Sequence, residues 1–258
     1  MNNSEIILLT EVSKLLNEIN HPDSIRIGKE IIQFTNSDSS QINLILERLK
    51  KGEPWEYIRG WSEFKGFKIF VNSSTLIPRI ETEQLVDIVK EELSDEIVQI
   101  VDVGTGSGAI AIALKKLNPS IRVVAIDISK EALEMTKKNC NENDVEIEIF
   151  QNDLLNNFEI SIPTFVVANL PYIPHSEYLS LDASVKDYEP SSALDGGVDG
   201  LDYISKLINQ CRANLSIKKI FLEIDPSQGD LIKNSFSEFK VSKYYDFNGL
   251  LRFLKLDR

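Results

Sequence analysis

Four consecutive residues, Asn169-Leu170-Pro171-Tyr172, have the composition of a clamp for a planar, polar group. They follow the β-forming run Phe165-Val166-Val167, and a second proline, Pro174, comes two residues later. The Asn169 side chain offers a carbonyl acceptor. Pro171 biases Leu170 towards an extended conformation, which presets the direction of the Leu170 carbonyl. Two such acceptors can hold both hydrogens of an –NH2 group, and Tyr172 offers a flat face for a planar amide or base. An amide nitrogen is a poor nucleophile because its lone pair is delocalised. Accepting both hydrogens and fixing the plane favours the form that can attack, and holding it about 3–3.5 Å from an electrophile supplies much of the rate. A stiff turn closing a buried strand would use the same Asn and Pro. The clamp reading gains weight from two further features that fall beside it.

The first is Gly104-Thr105-Gly106-Ser107-Gly108, placed between the buried strand "IVQIVDV" and the helix "AIAIALKKL". Glycine is needed where a backbone turns sharply or approaches a ligand closely. The spacing is G-x-G-x-G, which differs from the dinucleotide fingerprint and lacks a Walker lysine. The second is Asp127, which ends the next strand, 23 residues after Gly104. In doubly wound sheets an acid at that position accepts hydrogen bonds from ribose hydroxyls. It could instead begin the following helix, a task open equally to Ser129. Glycine turn and acid together point to an adenosine-type ligand. Asp153 and Leu154 follow the third strand. Asp153, or the backbone there, could take an adenine amino group while Leu154 covers one ring face, and a solvated turn is the alternative for Asp153.

The elements that must position these groups follow from periodicity. From residue 97 strands and helices alternate, predicting a mostly parallel, doubly wound α/β sheet. Its strands are "IVQIVDVG", "RVVAID", "VEIEIF", "TFVVAN" and "KIFLEI", with two strand-like runs at the end. Residues 1–60 read as three or four helices, through Ile6, Leu9, Val12, Leu16 and Ile19, then Ile25, Ile27, Ile31 and Ile32, then Ile42, Leu44, Ile45 and Leu49. "EFKGFKIFV" predicts a hairpin with Gly66 near its turn, Thr75 to Arg79 a linker, and Glu81 to Leu93 a helix. The units expected are a helical one at 1–60, a hairpin and linker at 61–78 and the α/β domain at 79–258, roles of substrate recognition and catalysis falling to the first and last under the resemblance drawn below. Residues 173–199 are polar, Asp/Gly-rich and aperiodic, and a loop of that length inside a compact domain is usually functional.

Composition narrows the field. The chain has 258 residues, 42% apolar and 26% charged, with a net charge of −12. That charge disfavours stable nucleic-acid binding and suits a basic protein partner or none. No apolar run is long enough to span a membrane, and the amino terminus lacks a basic region ahead of its apolar part, so no secretory leader is expected. Cys140 and Cys211 match no redox or zinc spacing and read as buried thiols of a reducing cytoplasm. His21 and His175 have no partner pattern, so no metal site is expected.

With these residues in place, the chain resembles class I S-adenosylmethionine-dependent amino-methyltransferases. More closely, it resembles the PrmC/HemK glutamine methyltransferases that act on peptide chain release factors. The resemblance is carried by Gly104–Gly108, Asp127 and Asn169–Tyr172, and by Leu76-Ile77-Pro78-Arg79 with Thr82-Glu83. It extends through Glu189-Pro190, Ala193-Leu194 and Gly200, and through Asp246, Gly249 and Arg252-Phe253. It runs from about residue 50 to the end. Leu170 stands where that family has Pro most often, and Ile80 where it usually has Pro.

The resemblance implies a seven-stranded Rossmann-like sheet with an antiparallel C-terminal strand. It implies S-adenosylmethionine as methyl donor, its methionine part held by Gly104–Gly108 and its ribose by Asp127, with S-adenosylhomocysteine as product. The substrate would be the glutamine of the release-factor Gly-Gly-Gln loop, methylated on its side-chain nitrogen (N5). Asn169 and the Leu170 carbonyl would hold the amide, Tyr172 would line it, and the enzyme would be a monomer. Arg79 could orient the substrate loop or the methionine carboxylate, or form a salt bridge with Glu81 or Glu83. The tetrapeptide alone also fits enzymes that methylate adenine amino groups. The competing readings are therefore a ribosomal-protein glutamine methyltransferase, an adenine N6-methyltransferase and a cofactor-binding module without turnover.

Overall fold

The computed structural model describes residues 3–258. Four helices come first: α1 (Asn3–Glu18), α2 (Ser24–Phe34), α3 (Ser39–Lys50) and α4 (Trp55–Arg59). The Asp38 side chain caps α3, accepting from the Ser40 and Gln41 backbone N–H groups, which is why the Ser-rich turn starts a helix there. Val12, Leu16, Ile27, Ile31, Ile42, Ile45, Leu49 and Trp55 bury one another in a core of their own. The inward face is narrower than the periodicity predicts, since Ile6, Ile25 and Leu44 are more than half exposed.

A hairpin follows, β1 (Trp61–Phe64) and β2 (Phe67–Phe70). Its turn residues Lys65 and Gly66 both have positive φ, 52° and 77°, the geometry of tight two-residue hairpin loops. Phe64 and Ile69 pack into the core on one face of the main sheet. The hairpin is therefore seated on the main sheet.

The main sheet has seven strands in the order β5-β4-β3-β6-β7-β9-β8. They are β3 (Gln99–Val103), β4 (Arg122–Asp127), β5 (Glu148–Gln151), β6 (Thr164–Ala168), β7 (Ile217–Glu223), β8 (Lys240–Tyr245) and β9 (Leu251–Asp257). β3 to β7 run parallel and β9 is antiparallel to both β7 and β8. β3 and β6 are buried along their whole length, the pattern of strands covered on both faces. The covering helices are α5 (Thr82–Glu92), α6 (Ala109–Leu117), α7 (Lys130–Glu142), α10 (Asp202–Arg212) and α11 (Gly229–Ser235). β5 begins three residues later than the apolar pattern suggests.

Residues 173–199 are not a structureless loop. They fold into α8 (His175–Tyr178), α9 (Ala183–Lys186) and a 3-10 turn at Ser191–Ala193. The ends are tied by backbone bonds from Ile173 to Leu194 (3.1 Å), Gly196 to Ile173 (2.8 Å) and His175 to Gly197 (2.7 Å). Among the described residues, no helix is long and apolar enough to cross a membrane.

Candidate active site

β3 pairs with β4 on one side and β6 on the other, so chain direction diverges at β3. In open α/β sheets that divergence leaves a crevice outside the carboxyl ends of the strands. A cavity of about 290 Å³ lies there, near the lower end of the roughly 300–1,000 Å³ typical of small-molecule sites.

One wall is the glycine turn. The N–H groups of Gly104 and Thr105 both donate to the Ile126 carbonyl, at 2.8 and 3.0 Å, which bends the chain sharply off β3. Gly104 has φ 73°, and a Cβ there would stand 2.7 Å from Leu170 Cδ2. The Leu170 side chain thus lies where any larger residue at 104 would be. Gly108 has φ 82°, and a Cβ there would meet Thr136 of α7 at 2.8 Å. Gly104, Thr105, Gly106 and Ser107 line the cavity, whereas Gly108 closes the turn behind it. Beneath them Asp102 is fully buried and accepts from the Thr105 hydroxyl at 2.6 Å. Burial pushes its carboxyl up to about 7.

Asp127 ends β4 on the cavity wall. Its Oδ2 accepts from the Gly106 N–H at 2.8 Å and its Oδ1 from the Ser129 N–H at 2.9 Å. The acid therefore supports both the glycine turn and the start of α7, while Ser129 caps that helix through Ala132 N–H. The carboxylate has about four lone-pair sites, so it keeps acceptor capacity for a ligand hydroxyl beyond these bonds. Burial raises the Asp127 carboxyl, against the lowering effect of the Ser129, Gly106 and Ile128 N–H groups. Asp153 and Leu154 also line the cavity. The Asp153 carboxylate is paired with Lys206 at 2.5 Å on the surface. Leu154 is 7% exposed, has a left-handed backbone (φ 52°) and packs in the core on one face of the sheet.

The opposite wall is the tetrapeptide. Asn169, Leu170 and Pro171 line the cavity. Asn169 Nδ2 donates to Thr82 Oγ1 at 3.2 Å. Among the described residues neither Asn169 Oδ1 nor the Leu170 carbonyl accepts a hydrogen bond. Tyr172 is not part of the cavity wall. Its hydroxyl donates to Glu223 Oε1 at 3.2 Å, and burial beside that carboxylate raises its pKa well above the usual phenol value. The backbone after Pro171 is locked from outside. Gln228 Nε2 donates to the Tyr172 carbonyl at 2.8 Å, and a Cβ on Gly196 would stand 2.6 Å from the Pro171 carbonyl.

Residues that position this site lie far from it in sequence. Thr82, at the start of α5, donates to Glu223 Oε2 at 2.7 Å. Glu223 is 2% exposed, and burial pushes its carboxyl up to about 7. An acid inside the apolar strand "KIFLEI" was the available signal, but nothing local indicates its partner. Ser74, Thr75, Leu76 and Pro78 of the linker form the roof. Arg79 also lines the cavity, and its ion pair is with Glu189 at 2.5 Å, not with Glu81 or Glu83. Glu189 Oε2 accepts from the Ile77 N–H at 3.2 Å as well. One carboxylate thus fastens the linker to the 173–199 segment, whose Pro190, Ser192 and Ala193 complete the roof.

This geometry coincides with similarity to known proteins. Residues 80–182 match the methyltransferase small domain family. The chain is 38% identical over 224 residues to the release factor glutamine methyltransferase of Lactococcus lactis, covering 86% of this chain and 82% of that one. It is 34% identical over 260 residues to the enzyme of the same name from Thermodesulfovibrio yellowstonii, covering 97% and 92%. A 16S rRNA methyltransferase of T. thermophilus, solved with AdoMet and guanosine, has the same sheet at TM-score 0.54 and 16% identity, covering 77% of this chain and 49% of that one. The last likeness is one of fold.

Proposed function

The chain belongs to the release factor glutamine methyltransferase family, and from that premise we propose how its own residues carry the reaction. The enzyme methylates a glutamine side chain of a peptide chain release factor. The methyl donor is S-adenosylmethionine, and the glutamine is that of the Gly-Gly-Gln loop, methylated on N5.

The residues present fit that donor. The glycine turn leaves backbone open to the cavity at Gly106, where a Cβ would meet nothing within 4 Å. Asp127 retains acceptor capacity for ribose hydroxyls, and Leu154 presents an apolar side chain for the adenine. When bound, S-adenosylmethionine supplies an electrophilic methyl group on a sulfonium. The protein's task is to present the amide nitrogen in line with it. Asn169 Oδ1 and the Leu170 carbonyl accept the two amide hydrogens and fix the plane of the –NH2 group. The linker and Pro190–Ala193 roof the cavity on one side and leave it open to solvent on another. No basic group is needed to take the extra proton, which leaves to solvent after transfer. The helical residues 1–60 recognise the body of the release factor.

The observation that carries the proposal is a pair of unengaged acceptors, Asn169 Oδ1 and the Leu170 carbonyl, on residues that line the same cavity as the glycine turn. The test is incubation with labelled S-adenosylmethionine and separate candidates. These are release factor, release factor with the Gly-Gly-Gln glutamine replaced by alanine, ribosomal proteins and rRNA. Label is expected on the first alone, at the glutamine nitrogen by mass analysis. Label on ribosomal protein or rRNA in preference to release factor would overturn it.

A further inference from the structure

Asn169 can serve as an acceptor only if its carboxamide faces the right way, and a carboxamide rotated by 180° presents –NH2 instead. The two orientations have nearly the same shape, so packing alone does not choose between them. Hydrogen bonding does. Thr82 Oγ1 stands between two partners, donating to Glu223 Oε2 at 2.7 Å and accepting from Asn169 Nδ2 at 3.2 Å. A hydroxyl has one proton. Once that proton is committed to a carboxylate, Thr82 can offer Asn169 only lone pairs. The carboxamide must then turn its –NH2 to Thr82, and its oxygen is left for the cavity. Thr82 is 4% exposed and Glu223 2%, so water does not compete for these bonds.

We propose that Thr82 and Glu223 are positioning residues for methyl transfer, a relay that holds the Asn169 carboxamide oxygen towards the substrate amide. This rests on the functional reading above and extends it to two groups with no direct part in the transfer, Thr82 on the cavity wall and Glu223 behind it. The relay depends on the charge of Glu223. As a carboxylate it accepts from Thr82 and from the Tyr172 hydroxyl. Protonated, it can donate to Thr82. Thr82 is then free to turn its own proton towards Asn169, which favours the flipped carboxamide and removes the acceptor from the cavity. The charged and titratable groups facing Glu223 are Glu81, the N-cap residue before α5, Tyr172 after β6, and Arg252 on β9. Arg252 favours the charged form, Glu81 opposes it, and burial exceeds both, raising the carboxyl to about 7. The orienting state therefore exists above that pH and is lost as pH falls through it.

The test uses the full chain with Thr82→Val, Thr82→Ser and Glu223→Gln. Valine keeps the volume of threonine and removes the hydroxyl, whereas serine keeps the hydroxyl. Thr82→Val is expected to lower kcat on release factor at least tenfold while Kd for S-adenosylmethionine stays within twofold, and Thr82→Ser to recover to within threefold of wild type. The wild-type kcat should fall on acidification through about pH 7, and Glu223→Gln should flatten that limb. The Asn169 side-chain –NH2 resonances give a readout without substrate. They should titrate with the same midpoint in wild type and not in Glu223→Gln. A Thr82→Val enzyme with wild-type kcat, or Asn169 resonances insensitive to pH, would overturn the relay. Wild-type protein inert towards release factor would instead overturn the functional reading, and the resonances would still decide the relay.

Discussion

At the scale of single residues, the site depends on which atoms are left without partners. Asn169 commits its –NH2 to Thr82 and keeps its oxygen free. Replacing it with alanine deletes one of two positioned acceptors, and removing such a group from a reaction centre costs about a hundredfold or more in turnover. Asn169→Ala is therefore expected to lower kcat by at least about that factor, with a smaller change in donor affinity by calorimetry. Asp127→Ala should show the reverse weighting, although the loss of its bonds to Gly106 and Ser129 also loosens the glycine turn. Gly104→Ala makes a sharper case. Its Cβ would lie 2.7 Å from Leu170 Cδ2 at φ 73°, so the leucine must move and the backbone is strained. Donor affinity and turnover should both fall, and the melting temperature should drop with them. The glycine turn, the acid and the tetrapeptide were legible because each sits on a strand end that periodicity reveals. Thr82 and Glu223 were not, since they meet across 141 positions of chain and local sequence contains no term for that contact. Tyr172 shows the converse: its type suggests a stacking face, yet the buried Glu223 beside it captures the hydroxyl.

At the scale of elements, the roof depends on the ion pair between Arg79 and Glu189. The Glu189 side chain is 1% exposed and Arg79 about one-third exposed. A buried charge that loses its partner keeps its desolvation cost. Arg79→Met is thus expected to destabilise the fold by about 2–3 kcal/mol, read from denaturant unfolding, and to weaken donor binding because the linker and Pro190–Ala193 then part. Arg79→Met combined with Glu189→Gln should recover much of the stability, since no buried charge remains. If the single and double variants melt alike, the pair is not what fastens the roof. The 173–199 segment explains why such pieces resist reading from sequence. Its helices are four residues each, too short to show a period, and its ends are fixed by bonds to Leu194 and Gly197 that no local pattern announces. The long strands and helices of the sheet, by contrast, display their burial in their own spacing.

At the scale of the molecule, the hairpin shares a core with the sheet, whereas the helical unit is joined to the rest by few, specific contacts. Asn139 of α7 exchanges hydrogen bonds with both backbone groups of Phe70 and also donates to the Ser107 carbonyl. That one buried amide couples the hairpin to the glycine turn. The helical unit touches the rest mainly through α4, where Tyr57 donates to the Thr75 carbonyl at 2.6 Å, and through the Tyr188 hydroxyl on the Lys51 carbonyl at 3.0 Å. Its apolar core shares no residue with the two cores of the sheet. Removal of α1–α3 should therefore leave the cavity nearly intact, provided α4 and its Tyr57 bond are kept. A chain lacking residues 1–50 is expected to bind S-adenosylmethionine within about tenfold of the full protein. Its efficiency on release factor should fall by about a hundredfold or more, equivalent to about 2.7 kcal/mol of lost recognition. Calorimetry with the donor reports on the fold and the methylation assay on docking, so the two effects separate. If donor affinity and methylation fell by the same factor, the helices would be supporting the cavity and not reading the partner.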